Sequence, residues 1–298
     1  MKGLLLIDKP AGMTSHDVVD CVRKAAKMRR IGHTGTLDPS ATGLLLICVG
    51  AATRLSEHLT GMDKTYEGNM RFGVVTDSYD MDGKVLEEHT VPELDFDTVQ
   101  HTFAQFQGAI DQIPPMVSAV KIGGERLYKK ARKGEVVDRP PRRVKVDEFS
   151  LLKIALPLAD FRVRCGSGTY VRALCHDVGQ VLGCGAALNQ LRRTVIGRYS
   201  VSDAAALDEL QSPDDIEKRL IPLGEALDMP AVIVESRGRK RIQTGNAVPA
   251  TELLSEIPVK TGWVQMKSED SELLALGQVE PGATGFQVQP RRVFIAQE

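Results

Sequence analysis

The sequence predicts an α+β fold with a small β-rich module at its C-terminal end. Two observations carry that prediction. Apolar residues recur with helical spacing in some segments and as short strand-like runs in others, and the two kinds are interleaved over residues 1–230. Beyond a proline-bounded stretch at 222–230, short apolar segments at Val232-Ile233-Val234, Trp263-Val264-Gln265-Met266 and Leu273-Leu274-Ala275-Leu276 are broken by glycines at 238, 245, 262, 277, 282 and 285. That rhythm fits short strands joined by turns. A chain of 298 residues accommodates one large domain and one small one, and the division is placed at 1–230 and 231–298. Apolar content of 42% supports a real core.

Residues 3–7 read as a short buried strand, ended by the turn Lys9-Pro10-Ala11-Gly12. Thr14 stands three residues before Asp17, a capping arrangement for a helix striped by Val18, Val22 and Ala25. Positive charge at Arg29-Arg30 suits the end of that helix. A buried strand is expected at 44–49, then a helix over 51–59 in which Arg54 and Glu57 are spaced for contact. Residues 64–73 alternate imperfectly and read as a strand. Residues 76–84 are a polar connection whose acidic spacing lacks the full calcium-loop pattern. Asp97 and Gln100 have capping-box spacing, Val99, Phe103 and Phe106 form a core stripe, and Gly108 stops that helix. Ile113-Pro114-Pro115-Met116 is stiff and extended. Strand material fills 149–164. Cys165-Gly166-Ser167-Gly168 then turns the chain into a helix faced by Val171, Leu174, Cys175 and Val178. Cys175 beside His176 reads as core rather than as nucleophile or metal ligand. Leu188, Leu191, Arg192 and Arg193 read as a further short helical unit, followed by a strand at 194–199. Helices are expected at 202–210 and from Asp214.

The most distinctive stretch is Gly32-His33-Thr34-Gly35-Thr36-Leu37-Asp38-Pro39-Ser40-Ala41-Thr42-Gly43. Glycines permit tight turns and close approach of backbone to a ligand, and Pro39 restricts Asp38 toward an extended conformation. On its residues alone the stretch is either a turn stabilised by its carboxylate or a loop that presents a catalytic one. Net charge of −1 gives no global field. Residues 121–145 nonetheless hold ten Lys/Arg against three Asp/Glu, and 200–230 hold two against eight. The basic interval suits a solvated surface or a phosphate backbone. Arg172 falls near a helix N-terminus, where the dipole does not favour a cation; an anionic partner would explain it. Cys21, Cys48, Cys165, Cys175 and Cys184 are odd in number and widely spaced, which suggests reduced thiols in a cytoplasmic protein; without a CxxC pair, structural zinc is not expected. Neither a signal peptide nor a membrane-spanning apolar run is found.

Together these motifs closely resemble the bacterial tRNA pseudouridine synthase B family. The resemblance rests on Lys9-Pro10-Ala11-Gly12, on residues 32–39 with Ala41-Thr42-Gly43-Leu44-Leu45, and on Lys64-Thr65-Tyr66, Tyr170-Val171-Arg172 and Leu191-Arg192-Arg193-Thr194, in order and spacing across 1–230. It implies a pseudouridine synthase fold, with a central, mostly antiparallel mixed sheet and flanking helices, followed by a PUA-like RNA-binding domain. By the same resemblance Asp38 matches the catalytic aspartate, Tyr66 the aromatic residue packed against the target base, and Arg172 the arginine paired with the carboxylate. Lys64 shares the active-site strand, His33 matches a loop histidine that holds rearranged RNA, and Leu191 lines the base pocket. Lys9 and Arg192 complete the substrate-binding set, Lys9 in a more structural role. Residues 114–145 resemble an RNA-clasping insertion. The implied partner is tRNA, held through its TΨC stem-loop by a monomer with no obligate protein partner. One departure is Cys184-Gly185-Ala186-Ala187, where many family members carry a second glycine, a histidine and a leucine; an adjusted contact or local repacking is expected.

The implied reaction isomerises uridine 55. The N1–C1′ bond breaks, the uracil turns, and C5 joins C1′. Atoms are conserved, so neither a cofactor nor a metal is expected. A carboxylate can attack a ribose or base carbon, or remove the 2′ proton, and an arginine fork would keep it ionised. The target must leave its stack, and an aromatic ring returns part of that cost. The alternatives are a non-catalytic RNA-binding or RNA-chaperone protein, in which Asp38 is structural, and an enzyme acting within a guide-RNA complex.

Overall fold

The computed structural model describes residues 1–118, 120–127, 130, 135, 137–282 and 285–295. The element order begins β1 (Gly3–Lys9), α1 (Ser15–Ala26), β2 (Ile31–His33), β3 (Thr42–Val49), α2 (Ser56–Thr60), β4 (Lys64–Phe72), β5 (Val74–Thr76), β6 (Val85–Glu88), α3 (Phe96–Ala104) and β7 (Gly108–Gln112). It continues with β8 (Lys121–Ile122), β9 (Glu125–Arg126), β10 (Arg142–Ala155), β11 (Leu158–Cys165), α4 (Val171–Val181), β12 (Ala186–Ile196), β13 (Tyr199–Ser200) and α5 (Pro213–Arg219). The C-terminal part adds β14 (Ala231–Ile233), α6 (Ser236–Gln243), β15 (Val248–Pro249), β16 (Gly262–Lys267), β17 (Leu273–Gly282) and β18 (Gly285–Val293).

The central sheet runs β1-β3-β12-β4-β11-β10-β7, with β2 also on β3 and β13 on β12. Only the β3–β12 pair is parallel among its described strand pairs. The fold is therefore α+β with a mixed, mostly antiparallel sheet, as the sequence suggested. The unbroken apolar run of β3 has a physical reason. Leu44, Leu46 and Cys48 enter a core shared with Leu4, Leu6, Leu273, Leu276 and Phe294. Leu45, Ile47 and Val49 enter another with Val18 and Val22 of α1 and Ile216 of α5. A strand covered on both faces cannot alternate. Further along the sheet, α3 and α4 cover one face through Phe103, Val171, Leu174, Cys175 and Val178, packed with Phe149, Phe161 and Tyr66.

The C-terminal sheet, β14-β16-β17-β18-β15, has its own core of Val232, Val264, Met266, Leu274, Val279 and Val288. It is the curled β-rich module read from the glycine-broken segments. Its helix α6 was not legible, because only Gly238 and Ile242 are buried in a run otherwise dominated by charge.

Several local expectations are corrected. Residues 188–193 are strand, not helix: they lie inside β12, whose two register shifts, at Leu188/Gln190 and Arg193/Val195, break the alternation that marks a strand. The 202–210 segment forms two 3₁₀ turns, Val201–Asp203 and Leu207–Glu209. The 51–59 helix is a 3₁₀ turn followed by α2, and Arg54 and Glu57 reach across to the Val293 carbonyl and to Arg292 instead of to each other. The cap of α3 is Asp95, whose carboxylate accepts from the Thr98 amide at 2.7 Å, and Gly108 opens β7 rather than closing the helix. Thr14 and Asp17 do form the capping box of α1. Lys129, Arg132 and Lys133 of the basic interval lie outside the described residues. No described helix is long and apolar enough to cross a membrane.

Candidate active site

The loop after β2 is pinned at several points. The Thr34 amide donates to the Leu46 carbonyl at 3.0 Å, the Leu37 amide to Ser15 Oγ at 2.8 Å, and the Gly12 amide to the Pro39 carbonyl at 2.9 Å. Two buried cations reinforce it. Lys9 Nζ donates to the carbonyls of Pro10, Met13 and Pro39 at 2.8, 2.7 and 3.1 Å. Arg193, only 1% exposed, donates from Nε to the Leu44 carbonyl at 2.7 Å and from Nη2 to the Gly35 carbonyl at 3.1 Å. Buried charge is tolerated when its donors are satisfied in this way. Gly43 is required at the end of the loop: its φ is 100°, and a Cβ there would lie 2.3 Å from the Arg193 carbonyl oxygen.

This framework holds Asp38 against Arg172, the second residue of α4. Arg172 Nε lies 3.0 Å from Asp38 Oδ2, and Nη2 lies 3.4 Å from Oδ1, a side-on fork. The other edge of the guanidinium is engaged as well. Nη1 donates to Asp80 Oδ2 at 3.0 Å and to the Ser78 carbonyl at 3.2 Å, and Nη2 donates to the Val117 carbonyl at 3.0 Å. Asp80 is fixed in turn by Ser78 Oγ, which donates to its Oδ1 at 2.6 Å, and by the Asp82 amide at 3.2 Å. Burial pushes the Asp38 pKa above the usual carboxylate range, Arg172 opposes that rise, and Asp80 and Asp82 add to it. The Asp38 side chain keeps 40% of its surface open, so its desolvation is partial; Arg172 beside it keeps 6%.

These groups line a cavity of about 170 Å³ together with Ser40, Ala41, Met81, Leu188, Asn189, Gln190 and Leu191. Of the residues singled out in the sequence, Asp38, Arg172 and Leu191 therefore meet at one pocket. Tyr66 is 9% exposed and belongs to the apolar cluster that also holds Leu37, Ala41 and Leu188; it is not part of the pocket lining. Burial raises its hydroxyl pKa, with Arg193 opposing. Lys64 spends its ammonium on the carbonyls of Thr60 and Met62, both at 2.6 Å, and burial, aided by Arg193, brings its pKa down to about 8. Arg192 forms a fork with Asp8, at 3.0 and 2.7 Å. His33 sits on β2 with a buried Nδ1 that finds no hydrogen-bond partner among the described residues, and burial lowers its pKa. Ala186 and Ala187 are fully buried at the start of β12.

Asp80 and Asn189 were missed. Asp80 did carry a signal, the acidic spacing of the 76–84 turn, but its partner stands 92 residues away. Asn189 falls at a register shift that no local pattern announces. Among the described residues, no cluster of three or more His, Cys, Asp or Glu side chains could hold a metal ion.

Two family models match the chain. One, for the N-terminal domain of TruB family pseudouridylate synthases, covers residues 23–171; the other, for the tRNA pseudouridylate synthase B C-terminal domain, covers residues 172–228. The tRNA pseudouridine synthase B of Opitutus terrae is 50% identical over 228 residues, which is 76% of this chain and 95% of that protein. The same enzyme of Solibacter usitatus is 40% identical over 283 residues, 94% and 96% of the two chains. That of Clostridium kluyveri is 39% identical over 296 residues, 99% and 100%. Among solved structures, a chain of a Cbf5-Nop10-Gar1 complex superimposes with a TM-score of 0.76 at 27% identity, covering 99% of this chain and 85% of that one. A chain of an H/ACA RNP bound to a substrate RNA containing 2'-deoxyuridine gives 0.74 at 25% identity, with 99% and 86% covered.

Proposed function

This chain belongs to the TruB family of pseudouridylate synthases, and we propose that it converts uridine 55 in the TΨC arm of tRNA into pseudouridine with Asp38 as the essential carboxylate. Isomerase activity on tRNA follows from the family itself. The finer assignment is supported by one observation above the others: Asp38 opens into a pocket while Arg172 grips it side-on and Asp80 anchors the far edge of the guanidinium.

That arrangement serves each step the reaction needs. Attack on C1′ or on C6 and removal of the 2′ proton all require an ionised carboxylate. Arg172 supplies the opposing charge without closing off Asp38, whose side chain lines the pocket and keeps 40% of its surface open. The uracil leaves its stack, at a cost of a few kcal/mol, and enters beside Leu191. Tyr66 is the aromatic platform of the proposal. Its ring is nearly covered before RNA arrives, so the base reaches it only after neighbouring side chains such as Leu191 shift. His33, half-buried next to the loop, presents the open part of its ring to the displaced RNA, while its unpaired Nδ1 stays buried. In this reading Lys9, Lys64 and Arg192 hold the backbone around the site, through the carbonyls and the carboxylate they occupy.

Residues 1–230 act as the catalytic domain, 114–145 as an RNA clasp and 231–298 as a PUA-like RNA-binding domain. Arg142 stands exposed in the clasp, and α6 adds Arg237, Arg239, Lys240 and Arg241 on the small domain. The protein is read as a cytoplasmic monomer acting without a protein partner. The two solved structures are an H/ACA RNP and a Cbf5-Nop10-Gar1 complex, at 25% and 27% identity, but the tRNA pseudouridine synthase B relatives reach 50% and 40%, which favours action on tRNA alone. Purified protein with an unmodified TΨC stem-loop tests the reading: product at position 55 is expected, whereas strand rearrangement without product would favour the RNA-chaperone alternative.

A further inference from the structure

Two aromatic rings outside the pocket lining are tied to the pair that positions Asp38. Tyr79 has a φ of 67°, in the left-handed region. A bulky residue is uncommon there and persists only where its surroundings hold it. Its ring lies flat on His176, with centroids 4.0 Å apart and planes inclined by 15°. His176 follows Arg172 by four residues on α4, one turn along the same face. Tyr79 itself stands between the two groups that hold Arg172 Nη1, the Ser78 carbonyl and the Asp80 carboxylate. The turn is stitched on its other side to β12, where the Leu188 amide donates to the Tyr79 carbonyl and the Met81 amide to the Leu188 carbonyl, both at 2.9 Å.

We propose that the Tyr79–His176 stack is a brace that locks the 76–83 turn to α4 and so sets the position of the Arg172 fork on Asp38. Both are positioning residues, and the proposal rests on the reading of Asp38 as the catalytic carboxylate. The left-handed backbone at Tyr79 is the consequence: it points the ring at α4 while Ser78 and Asp80 on either side face the arginine. Burial and, after it, the nearby Arg139 lower the His176 pKa, and its Nδ1 has no hydrogen-bond partner among the described residues. The ring is therefore kept for its flat face. The charged groups that act on Asp38 are Arg172, Asp80, Asp82 and Lys9, of which Arg172 is the strongest influence favouring the ionised form. A displaced fork leaves that form less supported.

The test compares Tyr79→Phe, Tyr79→Leu, His176→Phe and His176→Ala in the full chain with an unmodified tRNA transcript. Single-turnover rate, tRNA affinity and the pH dependence of the rate are measured for each. Variants that keep a ring hold the rate within about twofold. Those that remove one slow the chemical step about tenfold or more at unchanged tRNA affinity, since misplacing a catalytic group by about 1 Å costs up to a hundredfold. The acid limb of the rate moves to higher pH in the slow variants. The Tyr79→Leu/His176→Ala double variant is no slower than the slower single one, because each already removes the same contact. Should Tyr79→Leu fail to fold, His176→Ala decides, as alanine is the best helix former at this half-buried site. Full turnover with an unmoved acid limb in His176→Ala overturns the brace. So does an equal loss in Tyr79→Phe, or a loss confined to tRNA affinity. The underlying reading fails separately, and visibly, if Asp38→Asn still turns over.

Discussion

Replacing Arg172 with lysine keeps the charge and removes the fork. In the native site three nitrogens make five contacts: two to Asp38, one each to Asp80 and the Ser78 carbonyl from Nη1, and one to the Val117 carbonyl. A lysine offers one nitrogen on an unbranched stem, which cannot face Asp38 and Asp80 edge-on at the same time. The ammonium stays with the more enclosed partner, Asp80, whose side chain is 12% exposed against 40% for Asp38. Asp38 then loses two charge-assisted contacts, worth about 1.5–3 kcal/mol each before solvent takes their place. Water entering from the pocket recovers part of this. A net loss of about 2–4 kcal/mol slows the chemical step about thirtyfold to a thousandfold. Release of tritium from C5 of labelled tRNA, with enzyme in excess, reads that step without product release. A folded Arg172→Lys variant turning over within about threefold of the parent, a difference of well under 1 kcal/mol, would refute the fork as the device that orients Asp38.

Three further outcomes are expected. Tyr66→Leu slows turnover more than Tyr66→Phe, because the ring rather than the hydroxyl supports the base; equal rates for the two would reject the stacking role. The single-turnover rate falls with unit slope as pH drops through the Asp38 pKa, and the midpoint lies above the ordinary 3.8 because burial raises that pKa. A rate flat down to 3.8, with circular dichroism unchanged, contradicts it. Burial also lifts the Asp177 carboxyl to about 6, so the folded state disfavours its charge. That penalty is full above about pH 6 and disappears as pH falls toward 3.8, because the folded state takes up the proton first. Asp177→Asn therefore stabilises the protein at pH 7 by about 2 kcal/mol, allowing for the solvent the group keeps. Chemical denaturation at pH 7 and at pH 4 measures this, and an equal gain at both would show a different cause.

Much of the fold and of the candidate site was legible in the residues. The doubly covered β3 and the capped α1 follow from local patterns, and the glycine-rich loop announces itself. Arg172 stood out as a cation at the wrong end of a helix, and two aspartates prove to be its anionic partners. What escaped the sequence is long-range or irregular. Asp80 earns its place only through a partner 92 residues on, and residues 188–193 of β12 read as a helix because its bulges break the alternation. The buried cations Lys9, Lys64 and Arg193 share one feature that no spacing records: each donates to backbone carbonyls. Such contacts depend on where the chain has already gone, so they belong to the fold and not to any motif.

The most direct test of the account is nucleoside mapping of an unmodified TΨC stem-loop after incubation with the wild-type chain and with Asp38→Asn. Pseudouridine is expected at position 55 alone with the wild type, and none with Asp38→Asn although that variant folds and still binds the RNA. Product formed by Asp38→Asn, or modification mapped to another uridine, would contradict it.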